Sequence, residues 1–131
     1  LILALGYSGD RRAVPVTLEK LETLDADVTL SHHRSVALAL EALGDPAAAE
    51  PLARLLKKPG MSGHEMRKLE PLYDQQREKR RREGPLREIV LARALYRCGD
   101  HEGLGEAILR HYQGDLRGLF ARHATDVLAE D

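Results

Sequence analysis

Residues 36 to 60 leave the chain little choice of local structure. Apolar side chains fall at Val36, Ala39, Leu40 and Leu43, and again at Ala48, Leu52, Leu55 and Leu56. Both sets follow the i, i+3/i+4, i+7 spacing that lines one face of an amphipathic helix. Between them stands Gly44-Asp45-Pro46. Glycine accepts the left-handed backbone that ends a helix. Aspartate accepts hydrogen bonds from the free amides that begin the next, and proline suits a first turn. Lys57 and Lys58 lie at the negative end of the second helix dipole, and Pro59-Gly60 stops it. The stretch predicts two short helices folded back on each other, with Leu40 and Leu52 in the core between them.

The Gly-Asp pair recurs at 9–10, 44–45 and 99–100, each time after an apolar run. The runs are Leu1-Ile2-Leu3-Ala4-Leu5, Val36-Ala37-Leu38-Ala39-Leu40 and Leu91-Ala92-Arg93-Ala94-Leu95. A second helical run follows each pair, at about 12–24, 46–57 and 102–112. The first two pairs stand about 35 residues apart, a period typical of stacked helical repeats, and the third comes about 20 residues late. The lateness marks an insertion at 60–84. The predicted fold is all-α, an α-solenoid of stacked antiparallel helical hairpins with one inserted loop and helix. Its units span about 1–24, 32–58 and 85–112, with a final helix at about 117–129.

Composition agrees with helices. One Phe, four Tyr and no Trp leave a core of Leu, Ala and Val, which suits closely packed helices better than a β-sandwich. A hydrophobic content of 43% is that of a chain with a core. The formal net charge of −1 gives no global pull toward nucleic acid or an anionic membrane. No apolar run approaches the roughly 20 residues a membrane span requires. The lone cysteine, Cys98, rules out an internal disulfide and a thiolate metal cluster. It aligns with Leu43 at the end of a first-type helix, which predicts a small buried residue. The chain opens without Met inside an apolar run, and its two end units are incomplete. Both features predict a segment of a longer polypeptide.

The string Ala-Leu-Gly-Asp-Pro-Ala-Ala-Ala-Glu-Pro-Leu-Ala-Arg-Leu-Leu at 42–56, together with Gly9-Asp10-Arg11-Arg12-Ala13-Val14-Pro15, resembles the short bacterial HEAT-like repeats first described in phycobilin lyases. The resemblance covers 1–58 and, less closely, 85–112. It implies stacked antiparallel helix pairs whose second helices form an inner, concave face. Outward positions of that face would include Glu19, Arg54, Lys57, Glu106 and Arg110. The insertion departs from the family. Its stretch from 72 to 83 is helix-prone but polar, and reads as a mobile loop followed by a solvated helix.

Few residues point to chemistry. Gly103-Leu104-Gly105 begins like a dinucleotide fingerprint, but Ile108 replaces the third glycine and a helix, not a strand, precedes it. These glycines are read as helix-start spacing. The basic run from Arg77 to Arg82 is diluted by Glu65, Glu70, Asp74, Glu83 and Glu88, and reads as a solvated face with no specific nucleic-acid role. Six histidines are present. The solenoid would gather His32, His33, Arg34, His64, Asp115 and Arg117 along the edge formed by turns between hairpins. Capping and turn hydrogen bonds, a ligand or partner contact, and a metal are the roles open to that edge. Consecutive helical side chains diverge by about 100°, so His32 and His33 alone suit a single metal poorly. His111 and His123 fall inside helices and are expected to be partly buried and hydrogen-bonded. No nucleophile elbow, phosphate loop or carboxylate pair stands out, so no catalytic, cofactor-binding or metal residue is assigned.

Ser31-His32-His33-Arg34, Lys58-Pro59-Gly60-Met61-Ser62-Gly63-His64, Ala92 to His101, and Asp115-Leu116-Arg117-Gly118 with Ala121-Arg122-His123-Ala124 fall outside the repeat consensus. Together they resemble the C-terminal helical-repeat part of large bacterial FAD-dependent oxidoreductases. That resemblance implies a flavin domain elsewhere in the parent polypeptide, with no FAD-binding residue in this segment. The leading expectation is a non-enzymatic interaction or scaffold segment whose partner is a protein or another domain of the same polypeptide. The alternative is an accessory domain of a FAD enzyme.

Overall fold

The computed structural model describes residues 2–64 and 75–130, with backbone alone for 75–82. The described residues are all-helical and contain no strand. In chain order the helices are α1 (Ile2–Tyr7), α2 (Ala13–Glu22), α3 (Leu30–Leu43), α4 (Ala49–Leu56), α5 (Gln75–Arg97), α6 (Leu104–Gln113) and α7 (Gly118–Ala129). A 3-10 turn, Pro46–Ala48, leads into α4.

The three Gly-Asp pairs do the same local work. Gly9, Gly44 and Gly99 take positive φ angles of 71°, 60° and 104°. The aspartate that follows each accepts amide hydrogens of the next segment. Asp10 Oδ1 takes Arg12 N at 2.9 Å, and Asp45 Oδ1 takes Ala47 N at 2.9 Å. Asp100 takes Gly105 N at 2.8 Å and Glu106 N at 3.0 Å on its two oxygens. A side chain at any of the three glycines would meet the steric penalty of left-handed backbone.

Helix α3 sits between α1 and α5, and α5 in turn contacts α4, α6 and α7. Helix α2 packs on both α3 and α4. Leu40, Leu52, Leu55, Leu56, Leu91 and Leu95 are all buried to within 1% of their surface. Each such leucine contributes about 1.5–3 kcal/mol by leaving water, so the core rests on aliphatic packing, as the shortage of aromatics requires. Cys98 lies in that core, and its Sγ donates to the Leu40 carbonyl at 3.4 Å. Burial pushes its thiol pKa up to about 11, with Glu41 adding to the effect.

Two expectations need correction, at the 84–85 boundary and at His111. The end of the insertion and the first helix of the third unit are one helix, since α5 starts at Gln75 and contains Pro85. The expected boundary at 84–85 is therefore absent. Part of the expected mobile loop, at 65–74, and the side chains of the basic run Arg77 to Arg82 lie outside the described residues. Lys58 follows the end of α4, and its Nζ donates to the Leu24 carbonyl at 2.7 Å, tying α4 to the end of α2. His111 is exposed rather than partly buried.

Candidate interaction site

The six residues expected to share an edge separate into four places. Three of them, on consecutive positions of α3, are turned apart by the helix itself. His32 is exposed and lies beside Lys20 and Ile2. His33 is fully buried. Its Nε2 donates to the Asp25 carbonyl at 2.8 Å, and Nδ1 stands 3.2 Å from the Thr29 carbonyl. Burial lowers the His33 pKa and outweighs the two carbonyls, which favour the charged ring. The imidazole therefore bolts the loop after α2 onto α3. Arg34 points elsewhere again, into a groove described below.

His64, Asp115 and Arg117 do meet. Arg117 donates to the His64 carbonyl at 2.9 Å and to Asp115 through Nε and Nη2 at 2.9 and 2.8 Å. Its guanidinium also lies 4.6 Å from the centre of the Phe120 ring. The centre of this junction is Glu88, which in the sequence stands out only as a charge diluting the basic run. It is 2% exposed. Its carboxylate accepts from Gly63 N at 3.0 Å, His64 N at 2.9 Å and Tyr112 Oη at 2.6 Å. Three donors on one buried carboxylate satisfy a group that would otherwise be costly to bury. The His64 ring is held by the Gly60 carbonyl, 2.7 Å from Nε2, and lies against the backbone of α5 at Gly84. A Cβ at Gly84 would fall 2.6 Å from His64 Nδ1, so only glycine lets the ring rest there. The junction thus clamps the turn at 60–64 onto α5, α6 and the start of α7. No group of three or more His, Cys, Asp or Glu side chains among the described residues is arranged to hold a metal ion.

Two surfaces remain for larger partners. One lies on α2 and α4, which pack on each other, and a similar set of charges stands on α6. Glu19, Arg54, Lys57 and Arg110 are exposed there, and Glu106 is partly so. Its arginines are paired: Arg54 with Glu22 at 3.3 Å and Glu50 at 3.9 Å, and Arg110 with Glu106 at 2.8 Å. The other is a groove of about 260 Å³ between α3, α5 and α7. Leu38, Ile89, Val90 and Phe120 form its floor, with Leu86 and Leu119 on the rim. Leu119 is 72% exposed and Leu86 43%. The polar groups lining it are Arg34, Arg93 and His123. One end is closed by ion pairs, Arg93 to Glu41 at 2.6 Å and Arg97 to Glu41 at 2.8 Å, with Glu130 also on Arg97. His123 Nε2 lies 3.5 Å from Arg93 Nη1, and burial together with Arg93 and Arg97 lowers its pKa.

Helices α3 and α4 are joined by the short Gly44–Asp45 turn and the Pro46–Ala48 3-10 turn, and both bury leucines in one core. Residues 33–58 match the PBS lyase HEAT-like repeat family. The chain therefore carries a HEAT-like repeat in an all-helical fold. The matched repeat takes in α3 from His33 onward and all of α4, and it excludes the Glu88 junction and most of the groove. No curated protein and no solved structure matches the chain. No helix among the described residues is long and apolar enough to cross a membrane.

Gly103 and Gly105 do not follow a strand, as a dinucleotide site would require. Helix α5 precedes this turn, and Gly103 stands immediately before α6.

Proposed function

We propose that this chain is a non-catalytic helical-repeat segment that docks a protein partner or another domain of its own polypeptide. The observation that carries the reading is the HEAT-like repeat at 33–58, because stacked repeats of this kind expose long surfaces and bury little chemistry. In this reading the hairpins stack as an antiparallel α-solenoid, with α1, α3, α5 and α7 in one layer and α2, α4 and α6 in the other. The contacts of α1 with α3, of α3 with α5, and of α2 with α4 support that layering. The state of the potentially reactive groups supports the absence of catalysis: Cys98 is buried with a raised pKa, and His33 is bound to backbone carbonyls.

Cross-linking mass spectrometry of the parent protein in its native extract tests this. Lys20, Lys57 and Lys58 lie on or beside α2 and α4, within reach of anything on that face. Reproducible cross-links from them to another protein or domain are expected. Cross-links confined to residues 1–131 would overturn the proposal.

A further inference from the structure

We infer that the groove between α3, α5 and α7 receives an acidic segment of a protein partner that inserts apolar side chains. The inference deepens the interaction reading above and rests on it. Three observations carry it. First, among the described residues the groove brings together two exposed apolar side chains: Leu119 is 72% exposed and Leu86 43%, over a floor that includes the buried Ile89 and Phe120. Second, the space is small for a drug-sized ligand. At about 260 Å³ it falls below the roughly 300–1,000 Å³ of typical ligand pockets. It accommodates anchoring side chains from something larger that lies across it.

Third, the charge has one sign. Among the described residues the lining contains Arg34, Arg93 and His123 and no carboxylate. Arg93 is neutralised by Glu41, and Arg97 just beyond it by Glu41 and Glu130. Arg34, at the other end, is exposed and makes no ion pair or hydrogen bond among the described residues. A carboxylate there gains an open guanidinium able to bind it with two parallel hydrogen bonds. A basic segment finds no carboxylate among the described lining residues. The charged residues on α2, α4 and α6 have no such excess, because their arginines already hold glutamates. The fitting partner is thus an amphipathic helix or strand with Leu- or Phe-type anchors flanked by Asp or Glu, in the helix-in-groove manner.

The test uses two fluorescent 14-residue peptides with leucine at i, i+3, i+4 and i+7. Glutamate fills the other positions in one, and lysine in the other. Binding to the whole chain is followed by anisotropy, with sedimentation run alongside. The glutamate peptide is expected to bind at least tenfold more tightly than the lysine peptide. Leu119→Glu and Arg34→Glu should each weaken it tenfold or more. Both positions are exposed, and unchanged circular dichroism would show that the variants remain folded. No binding of the glutamate peptide, equal binding of the lysine peptide, or wild-type binding by Leu119→Glu would overturn the inference. So would a dimer of the chain that Leu119→Glu abolishes, which would make the groove a self-interface. Cross-links to a partner that persist in Leu119→Glu would overturn the groove while leaving the docking role intact.

Discussion

The matched repeat and the junction that follows it are held together by different physics. Within the repeat the core is aliphatic: Val36 and Leu40 of α3, and Leu52 and Leu56 of α4, are excluded from water in one shared cluster. Between the 60–64 turn, α5, α6 and α7 the organising group is a buried carboxylate, Glu88, with its three donors and the neighbouring Arg117–Asp115 pair. The difference shows what a departure from the repeat period demands. Helices in register bury complementary apolar stripes. A turn that is not part of the register presents backbone amides, and these need a named acceptor once they approach the core.

The largest expected effect lies on the apolar side. Leu40→Ala and Leu52→Ala should each cost about 2–5 kcal/mol in a denaturant titration, since both side chains are fully buried and neither site can collapse freely. A loss below that of any junction variant would break the comparison. Glu88→Gln comes next. It keeps the shape but weakens the acceptor for three donors, for a cost of about 1–3 kcal/mol. Its effect should be local: amide hydrogen exchange should accelerate at Gly63 and His64 while the amides of α3 stay protected. Uniform acceleration across both regions would show that the junction and the repeat open as one unit.

A smaller and pH-dependent effect belongs to the buried histidine of the repeat. Because the folded protein lowers the His33 pKa below its ordinary 6.5, the unfolded chain binds the proton more readily. Stability is therefore fully present above that value. It is lost as pH falls from about 6.5 toward the lower folded value. His33→Gln should flatten this part of a stability profile measured from pH 8 to 5. A slope should remain from His123, whose pKa is shifted the same way. An unchanged profile would show that His33 is not the group responsible.

The smallest effect is at Gly84. Alanine in a helix gains about 1 kcal/mol over glycine, but here it must displace the His64 ring. In a His64→Ala background, Gly84→Ala should recover most of that gain, and in the wild type little of it. Equal effects in the two backgrounds would show that ring and helix are not coupled.

Much of the repeat was legible because its cues are local. The spacing of Val36 to Leu56 and the Gly44–Asp45 pair each act within a few residues. Glu88 was not legible in that way, since its donors come from Gly63, His64 and Tyr112, some 24 or 25 residues distant on either side. One signal did exist. Glu88 stands at helical spacing from Leu91 and Leu95, which places a carboxylate on the buried face of α5. A charge there demands partners. Arg87 beside it is buried too, and its Nε has no hydrogen-bond partner among the described residues. The dispersal of His32, His33 and Arg34 was partly foreseeable, because adjacent residues on a helix cannot face one way. The groove was not, since it depends on how three helices distant in sequence come together.

The single thiol makes the α3–α5 contact observable without any added label. Cys98 is 2% exposed, and its proton is directed at the Leu40 carbonyl across that contact. An alkylating reagent reaches the sulfur only when the two helices part, so the labelling rate counts those openings. With one cysteine in the chain, the signal has a single origin. The same flask can then rank Leu40→Ala, Glu88→Gln and an occupied groove by how often each lets the interface breathe.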